Sequence, residues 1–377
     1  MTPRLVSPNS PDAGENGDTN SRSGAAAPFG VYVHVPFCRA RCDYCAFATW
    51  TDRPHLIGAY LDAVRTDVER AVAGGMAPAT SVFVGGGTPS LVPGDGLAGV
   101  LRAIPLAAAA EVTVECNPDD VTEALLETYV DAGVTRVSIG VQSMVPEVLA
   151  SLGRTHDPAN VRRAVAAVRA VGLRTFNVDL IYGAAGETLG DWRTTLERTL
   201  ELDPPHVSAY ALTVEAGTPL AGDPARHPDD DVQADEYELA DELLTGAGLA
   251  NYEVSNWARA GHECRHNQLY WAQHDYLGFG CAAHSHQRGR RWWNVRTPER
   301  YIEAVGAARP TEAAGETLDA ETRRLEGLQL ALRTTDGVPV GALDGDALPG
   351  LVERTGDRWT LTRRGRLLAN EVSVRLR

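Results

Sequence analysis

The stretch VYVHVPFCRARCDYCAF (residues 31–47) decides how this chain is read. Its first five residues are β-branched or aromatic, the composition of a strand, and Pro36 closes the run. Three cysteines follow at once, Cys38, Cys42 and Cys45. Six cysteines in 377 residues make no disulfide framework, and a tight triplet after a strand points to metal or catalysis. An iron–sulfur cube takes one thiolate per iron. Three thiolates leave one iron without a protein ligand, much as catalytic zinc keeps an open position. The competing reading is zinc with a fourth ligand, for which His34 is the candidate.

Outward from this stretch, short β-branched runs alternate with helical patterns. The runs are VYVHV (31–35), SVFVG (81–85), EVTVE (111–115), RVSIGVQ (136–142), RTFNVDLIYG (174–183) and HVSAYALTV (206–214). Between them, segments such as HLIGAYLDAVRTDVERAVAG (55–74) and PANVRRAVAAVRAVG (158–172) are apolar at helical spacing. Repeated strand–helix units predict an α/β fold with a parallel sheet, and six of them suit a barrel or partial barrel. The division expected is a disordered tail over 1–28, a barrel core over 29–215, an extension over 216–295 and a C-terminal domain over 296–377. The tail is rich in Ser, Pro, Gly, Asn and Asp. The last segment, with amphipathic helices and a hairpin at DRWTLT (357–362), reads as winged-helix-like.

Composition excludes several functions. The formal charge is −15, and all 35 cationic residues are arginine. Such a chain is a poor generic nucleic-acid binder. Without lysine there is no Walker A phosphate lysine and no Schiff base. No apolar run is long enough to span a membrane, and the N-terminus lacks the apolar core of a signal peptide. A cytoplasmic protein is expected.

In a β/α barrel, functional groups sit at the carboxyl ends of strands. Gly85-Gly86-Gly87-Thr88-Pro89 follows the second run, Glu115 ends the third in ECNP, and Gln142 ends the fourth in GVQS. Arg154 lies in LGRTH and Asp179 in NVDLIYG. Together these offer acceptors for ribose hydroxyls and a guanidinium for a carboxylate, the needs of an amino-acid nucleoside. Taken with the cysteine triplet, they resemble the radical S-adenosylmethionine (SAM) superfamily, from about residue 30 onward. The resemblance implies a partial (β/α)6 barrel, a [4Fe–4S] cluster on Cys38, Cys42 and Cys45, and SAM at the open iron. It also implies that Gly86, Gly87 and Thr88 hold the methionine amino group, and that Tyr32, Tyr44, Glu115, Gln142, Arg154 and Asp179 contact the nucleotide.

Within the superfamily the chain is similar to the oxygen-independent coproporphyrinogen III oxidase family and to its heme-chaperone branch. The oxidases carry a fourth cysteine two residues after the third, where this chain has Phe47. Coproporphyrinogen oxidation is therefore not expected. His266-Asn267-Gln268-Leu269-Tyr270-Trp271 matches the HNxxYW motif of the chaperone branch, which implies heme at His266. Neutral imidazole is a good axial ligand, and nearby aromatics suit a flat ring. His274, His284 and His286 are rivals, while Cys116, Cys264 and Cys281 read as packing. The expected function is binding heme and passing it to an acceptor protein, with an electron-donor protein as a further partner. The alternatives are a tetrapyrrole oxidase and a zinc-stabilised binding module.

Overall fold

All six β-branched runs form strands: β1 (Phe29–Val35), β2 (Ala79–Gly86), β3 (Leu106–Cys116), β4 (Arg136–Gln142), β5 (Thr175–Tyr182) and β6 (His206–Ala211). The computed structural model describes residues 27–377, so the expected tail lies outside the described residues apart from its last two. The strands pair in parallel in chain order. Between them run α1 (Ile57–Ala73), α2 (Gly94–Ala103), α3 (Glu123–Asp131), α4 (Pro146–Ser151), α5 (Pro158–Ala170) and α6 (Leu189–Leu200). Local chemistry fixes where these helices start. Asp157 caps α5 with Pro158 in its first turn, and Thr188 and Asp191 form a reciprocal capping box on α6.

Strand alternation builds two different layers. Val31, Val33 and Val35 of β1 join Val82, Val84, Val112, Val114, Val137 and Ile139 in the main apolar core under the helices. Each such side chain, fully buried, contributes about 1.5–3 kcal/mol. The other parity is polar and meets across the strands inside the barrel. There Ser138 Oγ donates to Asp179 Oδ2 at 2.6 Å, and Asn177 Nδ2 donates to Ser208 Oγ at 3.0 Å. The interior is thus a polar lumen, and side chains such as Asp179 and Tyr32 within it keep partial exposure.

Helix α7 (Asp230–Gly246) leads to β7 (Ala250–Glu253) and β8 (Asn256–Ala258), which add antiparallel to β6. Next comes α8 (Arg265–Trp271), which lies across the amino ends of β1 and β2. There its His266 and Leu269 side chains close on Gly30. The chain then returns as β9 (Asp275–Phe279), which pairs in parallel with β1 on the side away from β2. The hairpin β10 (His284–Gln287) and β11 (Arg290–Asn294), α9 (Pro298–Gly306) and β12 (Glu312–Thr317) follow. The twelve-stranded sheet therefore runs β12-β11-β10-β9-β1-β2-β3-β4-β5-β6-β8-β7, a partial barrel with added strands on both flanks.

A separate apolar cluster, including Leu332, Val338, Leu343, Val352 and Val372, forms the small C-terminal domain. It comprises α10 (Ala320–Leu332), β13 (Val338–Pro339), β14 (Val352–Thr355), β15 (Arg358–Leu361), α11 (Arg363–Leu367) and α12 (Ala369–Ser373). The sequence reading opened this domain at 296, but α9 and β12 stay with the large sheet. Tyr301 on α9 donates to Asp67 on α1 at 2.6 Å, and β12 pairs with β11 through Arg290–Glu312 and Arg291–Glu316. Charged cross-strand pairs of that kind look like solvent-facing surface in a sequence. Asp241 on α7 clamps the two parts, accepting from Arg363 at 2.5 Å and from Arg366 at 3.1 Å. No helix among the described residues is long and apolar enough to cross a membrane.

Candidate functional site

The cysteine loop hangs from the carboxyl end of β1 and is pinched at its base. Trp50 N–H donates to Pro36 O at 2.8 Å, and Cys38 N–H donates to Trp50 O at 3.1 Å. Cys45 N–H donates to Cys42 O at 3.2 Å, which folds the second half into a turn. Thr88 Oγ1 lies 3.6 Å from Cys38 Sγ, and Arg154 Nη1 lies 3.6 Å from Cys42 Sγ. Burial pushes the Cys38 and Cys45 thiols up. Among the described residues no three His, Cys, Asp or Glu side chains converge as ligands of a single ion would. Three thiolates that each serve a separate iron have no need to converge. The zinc candidate His34 is spent on the fold. Its Nε2 donates to Ala48 O at 3.0 Å, so Nδ1 accepts from the Tyr32 hydroxyl at 3.0 Å.

The glycine rim at the end of β2 is built for contact with backbone. A Cβ at Gly87 would stand 2.6 Å from Phe37 O, and one at Gly86 (φ +113°) would stand 2.4 Å from the His34 ring. Neither position admits a side chain. Gly87 N–H donates to Val35 O and Thr88 N–H to Phe37 O, tying the rim to the cysteine loop. Glu115 Oε2 accepts from Gly86 N–H at 3.2 Å. Burial, and then the neighbouring Asp179 charge, push the Glu115 carboxyl up to about 8. At neutral pH it holds its proton and can donate as well as accept.

Gln142 ends β4 in the left-handed region (φ +62°), where β4 and β5 lose one residue of register. This is a strained position for a residue with a side chain, and it sets the amide beside Gly140 and the Arg154 guanidinium. Arg154 Nη2 donates to Gly140 O at 2.9 Å, so its guanidinium bridges β4 and the cysteine loop. Asp179 sits deeper, accepting from Ser138 and from Asn177 Nδ2 at 2.7 Å. Tyr44 packs its ring on a second apolar cluster with Val145, Leu152, Leu212 and Leu220, with its hydroxyl beside Cys42 and Arg154. The structure thus gathers Tyr32, the three cysteines, Tyr44, Gly86 to Thr88, Glu115, Gln142 and Arg154 at one mouth, with Asp179 below them.

His266 lies at the other end. Its imidazole is fully buried, stacked on Phe83 and set edge-on to Tyr270. Nδ1 is 2.9 Å from Ser81 Oγ, and Nε2 has no partner. Burial pushes its pKa down to about 3. The heme contact expected at His266 has no opening to use while α8 is seated. The physical reason is Glu111, which sequence reasoning missed. Its carboxylate accepts from Arg265 N–H at 3.2 Å and His266 N–H at 3.1 Å, clamping the start of α8 to β3. Arg136, also missed, is buried facing Glu111 with Nε and Nη2 unpartnered. Arg136 opens β4 and Glu111 lies midway along β3, places where a sequence offers no signal beyond a polar residue in an apolar run.

Residues 32–199 match the radical SAM superfamily. The chain is 43% identical to the heme chaperone HemW of Mycobacterium tuberculosis over 92% of its own length and 94% of that protein. It is 36% identical to HemW of Escherichia coli, covering 92% and 97% respectively. The chain belongs to the HemW family. Among solved structures, coproporphyrinogen III oxidase (HemN) from Escherichia coli, described as a radical SAM enzyme, superposes with a TM-score of 0.80. It is 23% identical over 92% of this chain and 89% of that one, a likeness of fold. In this HemW-family chain Phe47, just past the third cysteine, is 68% exposed. Cys116, Cys264 and Cys281 are all buried free thiols away from the triplet.

Proposed function

We propose that this chain binds heme and hands it to an acceptor protein, with a [4Fe–4S] cluster on Cys38, Cys42 and Cys45 and SAM at the cluster's open iron. What carries the reading is the similarity to HemW proteins along 92% of the chain. The chemistry of the mouth fits these groups. Three thiols share one pinched loop, and the rim beside them has backbone that no Cβ could shield. When bound, such a cluster supplies a single electron and an open coordination position.

The chain's own residues then have distinct tasks. Arg154 sets a positive charge beside Cys42 and can meet a carboxylate. Thr88 sets a hydroxyl beside Cys38. Gly86 and Gly87, whose N–H groups are held by Glu115 and Val35, let main-chain carbonyls approach the ligand, while Glu115, Gln142, Tyr32 and Asp179 offer hydrogen bonds to the nucleoside. Tyr44 braces the loop between its second and third cysteines from the apolar side. The reading calls for an electron-donor protein and a heme acceptor, and for the cytoplasm, where thiols stay reduced. Coproporphyrinogen oxidation is not part of it, because Phe47 stands where the oxidases have a cysteine.

Anaerobic reconstitution tests the cluster, with about four iron and four sulfide expected per chain. A heme titration run beside a coproporphyrinogen III turnover assay tests the rest. Heme uptake without turnover supports the chaperone. Turnover of the porphyrinogen overturns it in favour of the oxidase.

A further inference from the structure

The segment after β6, EAGTPLAGDPARHP (215–228), is broken by proline and glycine and winds through two short 3-10 turns, Leu220–Gly222 and Pro224–Arg226. Thr218 Oγ1 ties it back on itself, donating to Glu215 O at 2.6 Å and accepting from Ala221 N–H at 3.2 Å. This strap reaches the cysteine loop from far along the chain. Leu220 N–H donates to Asp43 O at 3.0 Å, and Arg226 Nη2 donates to Asp43 Oδ2 at 2.9 Å. The Leu220 side chain joins the apolar cluster on which Tyr44 packs. Asp43 and Tyr44 lie between the second and third cysteines, so the strap grips the middle of the loop, away from its pinched base.

The same guanidinium nitrogen of Arg226 donates to Ser151 O, the last carbonyl of α4. Three residues beyond Ser151, Arg154 stands between Gly140 O at 2.9 Å and Cys42 Sγ at 3.6 Å. Gly153 (φ +70°) comes so close to the loop that a Cβ there would stand 3.1 Å from Asp43 Oδ1. Arg226 thus joins Asp43, next to Cys42, to the turn that carries Arg154. The space left among these groups is a cavity of about 10 Å³, room for at most one water. The Arg226 and Asp43 side chains are 28% and 32% exposed. An ion pair so open to water contributes little to stability, so what it supplies is geometry.

We propose that Arg226 is a positioning residue, which fixes Arg154 against Cys42 and so sets where the SAM carboxylate lies. The inference rests on the reading that SAM binds at the cluster, and it adds a residue from outside the set gathered at the mouth. One guanidinium satisfies both the loop carboxylate and the helix-end carbonyl, so its loss frees the loop and the α4 turn to part. Arg154 would keep its bond to Gly140 O but lose its set distance from the Cys42 sulfur. A charged contact that must meet a ligand in one orientation is sensitive to small displacements of that kind.

The test is SAM calorimetry on the reconstituted full-length protein. Arg226→Ala should weaken SAM about fivefold, with iron–sulfur content and the urea unfolding midpoint as in wild type. Arg226→Lys, which keeps a cationic donor, should return the affinity to within about twofold of wild type. The deciding measurement is the pairwise cycle with Arg154→Ala. Because Arg226 acts through Arg154, adding Arg226→Ala to Arg154→Ala should cost no further affinity. Wild-type affinity in Arg226→Ala, or a loss that persists beside Arg154→Ala, overturns the positioning role and leaves SAM at the cluster standing. A wild-type protein that holds a cluster and binds no SAM overturns that reading, and the positioning role with it.

Discussion

At the carboxyl ends of β1 and β2, Gly86 and Gly87 press backbone against the His34 ring and the Phe37 carbonyl. At the amino ends of the same two strands, about 16 Å away, Gly30 and Ser81 close on the imidazole of His266. The mouth uses backbone proximity and leaves its three thiols partly exposed. The floor uses its polar side chains on one another, with Glu111 holding the first amides of α8. Damage at the mouth should therefore remove function and leave the fold, whereas damage at the floor should weaken the fold first.

The largest contrast comes from the thiols. Cys38→Ala, Cys42→Ala or Cys45→Ala should abolish the brown iron–sulfur absorbance altogether, with stability of the metal-free protein within about 1 kcal/mol of wild type. Alanine at Cys116, Cys264 or Cys281 should leave the absorbance in place. If one of those three mattered equally, the ligand set would be wrong. Next in size is the floor. Glu111→Ala strands two backbone donors and leaves Arg136 without its facing carboxylate, and should cost about 3–5 kcal/mol in urea denaturation. The folded fraction should still assemble a cluster. A loss under about 1 kcal/mol would mean that α8 is held by other contacts.

Arg154→Ala asks for a smaller change, a SAM affinity lower by about 1–3 kcal/mol in calorimetry of the reconstituted protein, with cluster content intact. Unchanged affinity would move the carboxylate contact elsewhere. The finest distinction is in pH. Glu115 holds its proton up to about 8 in the folded protein and gives it up near 4.5 unfolded, so its share of stability is complete at low pH and is lost as pH rises between those values. His266 behaves oppositely. Its folded pKa of about 3 lies below the unfolded 6.5, so stability falls as pH drops through that interval. Each group contributes a slope of at most about 1.4 kcal/mol per pH unit. Glu115→Gln should flatten the alkaline side of the metal-free protein's stability profile and His266→Gln the acid side. Identical profiles in both variants would show that neither group titrates as its surroundings dictate.

Much of the mouth was legible because it is local in sequence. The triplet follows its strand directly, and the rim glycines and Glu115 end theirs, so each motif carries its own position in a barrel. The floor is assembled from afar. Ser81, Glu111, Arg136 and His266 come from four elements, and none announces the others. The HNxxYW segment therefore looked like an open ligand site, although α8 turns its histidine inward. Strands β9 to β11 escaped for a related reason. DYLGF, HSHQ and RRWWN are short, and glycine and charge interrupt their alternation, so only pairing with β1 and with one another reveals them.

The pairing of β1 has a consequence in time. This first strand, which carries the cysteine loop, sits between β2 and β9, and its second neighbour begins only at Asp275. At ordinary rates of synthesis the ribosome needs roughly 12–50 s to travel from Phe29 to Asp275. For that interval the strand that bears the thiols has one edge unpaired, and α8, which covers its amino end, has not been made. The newborn chain can thus offer its cysteines to solvent, or to whatever delivers iron and sulfide, well before the wall beside them closes.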